Sequence, residues 1–407
     1  MSGFFTKKET ESISAMNGKI HSCASCGLYK DCHSPKMKPY GKFEKGIMVI
    51  GDYLDILDDE KGKPFQSKHG RMLKRTLKEQ GIDLFNDCIS LNATNCLPPL
   101  DREPNSTEID HCRSVIVWKA LKEYQPKVVI LLGEAALASV IGYTWGGGTN
   151  MNRWRGFCIP DQSLKTWICP TYHPRYLHEI EMPKHYVKAW EDDLQNALDK
   201  VDIPFPRYSK PEIRYMKDSR FIEELSPVLS SFDYETTAIK PHAKGQRIVC
   251  TSIADREDRA WVFPTPKTKE GWQPFRRWLY NKDVPKMAHN LKFEDTWSKE
   301  ILKVPVRGWE WDSMLAAHIL DNRPGVSGLK FQTYVTFGIQ DYSIEVGQYL
   351  KAGGDEDGAN TKNAIMKLMK TKSGRKQVME YCALDSVYQY RLAIKQMEAL
   401  NYGFLPF

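Results

Sequence analysis

The 407-residue sequence contains no apolar run long enough to cross a bilayer. The longest, VVILLGEAALASVIG, carries Glu134 and falls short of the ~20 residues a spanning helix needs, so no membrane partner is expected. The opening MSGFFTKKETES is too short and too polar for a secretory leader, which makes the cytoplasm the expected location. Internal repeats are lacking, and solenoid or propeller architectures are thereby excluded. Neither sign of charge dominates: 58 Lys and Arg against 51 Asp and Glu leave +7, a balance that suits an anionic polymer without requiring one. Cysteine, by contrast, is plentiful at ten residues. In a reducing compartment a disulfide framework is not its expected use. Clustered thiols are expected to hold a metal or cluster, and scattered ones such as Cys250 and Cys382 to fill core space.

A chain of this length exceeds what one core usually covers, so two domains are expected. The proline-bearing stretch DIPFPRYSKPEIRY, Asp202 to Tyr215, divides the hydrophobic runs and places the domains at 1–203 and 219–407 with a linker at 204–218. The class is α/β in both. In the first domain the runs GIMVIGD, CISLNAT, KVVILLG and TWICPTYH alternate with helical patterns near Met72–Gln80, Glu108–Tyr124 and Glu134–Val140, which predicts a parallel sheet covered by helices. Ligands in such sheets gather beyond the carboxyl ends of the strands, where GDYLD, Asn92 and TYHP fall. In the second domain SSFDYETT, RIVCTSIA and RAWVFPT read as consecutive strands. A helix near Pro274–Tyr280, a strand through VPKMAHN and a mostly helical remainder follow. The glycine-rich, charged KAGGDEDGAN reads as a solvated connector. Trp272, Trp278, Trp297 and Trp311 read as packing residues.

Three separated segments carry acids: FDYETT (Asp233, Glu235), AHNLKFED (Asn290, Lys292, Glu294) and YCALD (Tyr381, Asp385). Carboxylates gathered within about 5 Å repel by roughly 3 kcal/mol per pair at an effective dielectric near 20, so their convergence calls for cations between them. Hard divalent ions meet that need and activate water for phosphodiester hydrolysis. The segments resemble the proofreading 3′ to 5′ exonuclease domain of polymerase-I-type DNA polymerases over about Ser230–Leu400. The resemblance implies a ribonuclease-H-like fold. It makes Asp233, Glu235, Glu294 and Asp385 ligands of two Mg²⁺ or Mn²⁺ ions, Tyr381 the orienter of the attacking water, and Asn290 and Lys292 substrate-binding. Glu294 stands where the family usually has Asp, with Asp295 beside it as a second choice; Asp312 falls at a further acidic position near the site.

Cys23 and Cys26 form a C-x-x-C, and Cys96 and Cys112 flank LPPLDREPNSTEIDH. Two such pairs can converge on an iron–sulfur cluster or on tetrahedral zinc, and spacing alone does not choose. With KGKPF, NATNCLPP and PTYHP, this pattern resembles the family-4 uracil-DNA glycosylases over about His21–Val201. The resemblance implies a structural [4Fe-4S] cluster on these four cysteines, with Cys32 outside the set. Phe65 becomes the stacking ring, Asn92 the base-reading amide, His173 the hydrogen-bond donor to the departing uracil, and Asp52 the counterpart of the catalytic glutamate. The family's Gly-Glu-Ala-Pro-Gly is Gly51-Asp52-Tyr53-Leu54-Asp55 here, which leaves base excision and recognition without excision both open. Arg153, Trp154 and Arg155 in the glycine-rich TWGGGTNMNRWRG stretch, and Lys68 with Arg71 at a helix start, are further candidates for DNA contact.

Joined, the two halves resemble the front part of certain bacteriophage polymerases. The partners this implies are DNA, single-stranded or frayed at its 3′ end and in some cases uracil-bearing, and a separately encoded DNA polymerase, unless the chain is a piece of one; a phage-encoded chain would act in the cytoplasm of its bacterial host. Two other readings stand beside this one: a non-catalytic DNA-binding accessory factor of a polymerase, and an RNA-trimming 3′ exonuclease.

Overall fold

The computed structural model describes residues 22–142, 145, 148–225, 229–350 and 362–403; the KAGGDEDGAN connector lies outside them. Contacts divide the chain into two units, Met1–Tyr208 with Tyr334–Gln340 and Ser209–Thr333 with Asp341–Phe407.

The first unit is built on β1 (Ile47–Tyr53), β2 (Cys88–Thr94), β3 (Val128–Leu132), β4 (Ile159–Asp161) and β5 (Thr166–Thr171), in the order β2-β1-β3-β5-β4. Near-continuous apolar, β-branched runs mark strands covered on both faces, and every residue of β2, β3 and β5 is buried. The sheet is parallel from β2 to β5. It differs from the wholly parallel expectation at β4, which pairs antiparallel with β5. The cause is local: Asp161 accepts hydrogen bonds from the amides of Ser163 and Leu164, and this side-chain-closed turn folds the chain straight back. Helices α1 (Cys23–Cys26), α2 (Ile56–Lys61) and α3 (Lys68–Glu79) come early in the unit. The helical pattern at Glu108–Tyr124 is interrupted: α4 (Ser106–Cys112) and α5 (Trp118–Tyr124) are separated by a π turn at Arg113–Val117. After β3 come α6 (Glu134–Val140), α7 (Met151–Trp154), α8 (Pro174–Glu179) and α9 (Lys184–Leu198).

The second unit holds β6 (Glu212–Tyr215), β7 (Ser230–Thr236), β8 (Ile248–Arg256), β9 (Arg259–Pro264), β10 (Lys286–Ala288) and β11 (Trp309–Asp312), ordered β11-β10-β7-β8-β9-β6. β7, β8 and β9, expected as consecutive strands, pair as an antiparallel meander, and β10 and β11 extend it in parallel. Part of the expected linker is instead a strand. β6 pairs with β9 at the sheet edge, where its exposed, polar outer residues hid it from the hydrophobic pattern. The helices are α10 (Lys269–Tyr280), α11 (Leu291–Trp297), α12 (Ser313–Leu320), α13 (Leu329–Phe337, which from Tyr334 onward counts with the first unit), α14 (Ile344–Leu350), α15 (Ile365–Leu368) and the 28-residue α16 (Lys372–Ala399). Trp278 and Trp297 are buried with Phe232, Phe263 and Phe275 in one aromatic core. α16 is fixed across the sheet by polar bolts: Ser231 Oγ donates to the Ser386 carbonyl at 2.6 Å, Ser252 Oγ to that of Cys382 at 2.7 Å, and Gln389 Nε2 to that of Met287 at 2.8 Å.

Candidate functional site

Alternation along β7 puts Asp233 and Glu235 on one face of the sheet. Tyr381 and Asp385, four residues apart, share a face of α16 and are both buried. Glu294 lies in the first turn of α11, also buried. These acids sense one another. Burial, and then repulsion from Asp385, pushes the Asp233 carboxyl well above the usual range. Burial followed by Asp233 does the same to Glu235 and Glu294, and Glu294 Oε2 is buried without a hydrogen-bond partner among the described residues. Burial, with Asp385, Glu235 and Asp233 nearby, also raises the Tyr381 phenol, which therefore stays protonated.

Asp312 ends β11 and caps α12. Its Oδ1 accepts from the amides of Met314 (2.9 Å), Leu315 (3.2 Å) and Asn290 (3.1 Å), and its Oδ2 from that of Leu291 (3.0 Å). One carboxylate thus ties two helix starts together and holds Asn290 at φ 72°. Lys292 is exposed beside it. Asp295 is engaged elsewhere, with Lys299 at 2.5 Å and the Val306 amide at 3.4 Å. Three residues to which the motifs gave no role at the site also reach the acids. The Lys330 ammonium pairs with Asp385, Tyr342 donates to Asp385 Oδ1 at 2.6 Å, and Cys382 Sγ lies 3.7 Å from Asp233 Oδ2.

In the first unit the register places Gly51 opposite Asn92. A Cβ on Gly51 would lie 2.4 Å from Asn92 Oδ1 and 3.0 Å from Phe65 Cζ, so the glycine, the amide and the ring meet at one point. Asn92 Nδ2 is buried with no partner among the described residues, a donor left for a ligand. Phe65 is buried at φ 59°, and its loop is held where Asp58 accepts the Gln66 amide at 2.5 Å. Burial lowers the His173 imidazole well below its usual range. Its Nδ1 accepts the Arg175 amide at 3.1 Å, so the neutral ring carries its proton on Nε2. Asp52 is turned away from such a role. Its Oδ1 accepts the Ala135 and Ala136 amides at 2.8 and 3.1 Å at the start of α6, and burial moves its carboxyl up to about 7. Tyr53 and Asp55 have structural duties: the Arg175 guanidinium lies 4.0 Å from the Tyr53 ring centre, and Asp55 caps α2.

Cys23, Cys26, Cys96 and Cys112 line one cavity with Asn95 and His111. Burial raises the thiols of Cys96 and Cys112 to about 12 and about 11, with repulsion among the cysteines adding to it. Asn95 joins this centre to the pocket: its amide and Nδ2 donate to Cys112 Sγ at 3.3 and 3.5 Å, and Nδ2 donates to the Asn92 carbonyl at 2.6 Å. Cys32 does not line the cavity; its thiol donates to the Leu28 carbonyl at 3.1 Å. Among the DNA-contact candidates, Trp154 is wholly buried and Arg155 pairs with Asp193 at 2.8 Å. The indole is therefore a packing residue, not a stacking platform.

Residues 38–194 match the uracil DNA glycosylase superfamily, and residues 215–400 match the 3′-5′ exonuclease family. The chain is a fusion of a uracil-DNA-glycosylase-like domain and a 3′-5′ exonuclease domain. The type-4 uracil-DNA glycosylase of Pyrobaculum aerophilum is 25% identical over 157 residues, covering 38% of this chain and 79% of that enzyme. Its counterpart in Thermotoga maritima is 26% identical over 197 residues, covering 45% and 98%. A DNA polymerase of Bacillus phage SP01 is 22% identical over 325 residues, 72% of this chain but 34% of the polymerase. The exonuclease fold implies divalent cations, and the acids of that domain fit them: an oxygen-rich set, carboxyls raised by burial and then by one another, a Glu294 Oε2 without a partner among the described residues, and the Lys330 ammonium as counter-charge. No helix among the described residues is long and apolar enough to cross a membrane.

Proposed function

We propose that the exonuclease domain shortens DNA from its 3′ end and that the glycosylase-like domain recognises uracil without excising it. The crowding of Asp233, Glu235, Glu294 and Asp385 carries the first part. These four would hold two divalent cations, magnesium or manganese, which activate water and stabilise the leaving oxygen. The neutral Tyr381 phenol orients the attacking water by hydrogen bonding, since it holds its proton too firmly to act as a base. Asn290 and Lys292, at the start of α11, face the substrate role, with Lys292 offering charge to a phosphate. The connection between domains is taken to run from 204 to 211, and a separately encoded DNA polymerase is the proposed partner.

The test uses end-labelled single strands with Mg²⁺ or EDTA, in matched DNA and RNA forms. Asp233→Ala and Asp385→Ala should each lower Mg²⁺-dependent DNA digestion by about 10²–10³-fold with circular dichroism unchanged. Undiminished digestion by both variants would refute the assignment.

Capture of the Asp52 carboxylate by two amides supports recognition over excision, since it leaves that group poorly placed to act on a substrate. Asn92 Nδ2 and the Nε2 proton of His173 are the donors offered to a pyrimidine edge. A uracil-bearing oligonucleotide should bind more tightly than its thymine counterpart and yield no free uracil. Uracil release that His173→Ala abolishes would establish excision instead. For the four cysteines we propose a structural [4Fe-4S] cluster over zinc. The likeness to the type-4 uracil-DNA glycosylases and the buried placing of Cys96 and Cys112 support this choice. Stoichiometric zinc without sulfide in anaerobically purified protein would reject the cluster.

A further inference from the structure

We infer that Cys382 is a third donor beside Asp233 and Glu235, giving this centre a second binding mode for thiophilic divalent cations such as zinc and cadmium. Its inhibitory consequence rests on the nuclease reading; the binding itself does not.

Donor atoms of Asp233, Glu235 and Cys382 lie within 4.8 Å of one another, the one such trio among the described residues. The sulfur is 3.7 Å from Asp233 Oδ2 and 3.3 Å from Ser252 Oγ, and the residue is wholly buried. A thiol that only filled space would not need to meet a carboxylate oxygen. Glu294 Oε2 is likewise buried without a hydrogen-bond partner among the described residues, and Asp233 is the charge that acts on it most strongly. Magnesium takes oxygen ligands and gains nothing from sulfur. Zinc accepts sulfur and carboxylate together in a four-coordinate shell, and two carboxylates with one thiolate leave its fourth position open. Binding forms the S–metal bond as the S–H bond breaks, with the proton passing to solvent. Because zinc outranks manganese at such sites, small amounts would displace the hard ions and stop digestion.

The experiment uses the full chain with its cysteine centre loaded, so that those four thiolates are occupied. Cadmium is titrated and the ultraviolet thiolate-to-cadmium charge-transfer band recorded, with zinc affinity measured by calorimetry. Wild type should show one additional band-forming event, and Asp233→Ala should lose it. Cys382→Ser should also lose the band and bind zinc roughly 10–100-fold more weakly, with a smaller change in manganese affinity. If wild type itself shows no additional band, or Cys382→Ser retains both band and zinc affinity, the sulfur ligand is overturned; the first of these outcomes is read even if a variant fails to fold. A cadmium band in a protein that digests no DNA with Mg²⁺ would overturn the nuclease reading and leave the sulfur ligand standing.

Discussion

Asp52 is held by the Ala135 and Ala136 amides at the start of α6. With its carboxyl raised to about 7 from an ordinary 3.8, the folded state binds this proton more tightly than the unfolded state does. The contribution therefore runs opposite to a salt-bridged acid: stability falls as pH rises from 3.8 toward about 7. Asp52→Asn keeps an acceptor for the Ala135 and Ala136 amides, so the variant's melting temperature should decline less across that window; identical pH profiles would sink the claim. Gly51→Ala tests the pocket itself. Its Cβ would collide with Asn92 Oδ1 and the Phe65 ring, and uracil preference in binding should disappear while the far-ultraviolet spectrum stays native. Most of these residues were legible in the sequence because they sit in short motifs. Lys330, Tyr342 and the approach of Cys382 to Asp233 were not, since the first two come from α13 and the turn before α14 and the third from a cysteine read only as core filling, where only the fold creates the contact.

Among the elements, strands marked by continuous apolar runs were readable and elements without such a run were not. β1, β2, β3 and β5 follow from continuous apolar runs. The polar edge strand β6, the hairpin that reverses β4 and the π turn at Arg113–Val117 carry no such pattern. Asp312 is the clearest case, because its four amide contacts position the starts of both α11 and α12. Asp312→Ala leaves those amides without their acceptor and should cost about 2 kcal/mol, the upper range for a lost cap. Glu294 would move with α11, so digestion should fall by roughly 10–100-fold, as for other groups that hold a metal ligand in place. Loss of stability with full activity would remove Asp312 from the site's support. At the start of α6, Gly133 has φ 93°, and a Cβ there would lie 1.9 Å from Asp52 Oδ2. Gly133→Ala should cost about 1–3 kcal/mol through backbone strain alone, read as a lower melting temperature.

For the whole molecule, two centres of opposite chemical character make separable demands on the solvent. The acidic centre offers mainly oxygen donors, which exchange their hard cations readily. The cysteine centre offers sulfur, and the iron or zinc proposed there would be far less labile to a carboxylate chelator. Brief EDTA treatment should therefore abolish digestion while leaving the cysteine-bound metal and any visible absorbance in place, and Mg²⁺ alone should restore activity. If EDTA instead strips the cysteine centre at the same rate, the donor assignment is wrong. Uracil supplies the complementary test of why the two domains share one chain. A domain that binds uracil without releasing it retains the strand, so a uracil near the 3′ end should slow shortening several-fold relative to thymine at the same position. Gly51→Ala should erase that difference without changing the thymine rate, because it fills the pocket and touches none of the acids. Equal rates on both strands with wild-type protein would mean that the domains act on DNA independently.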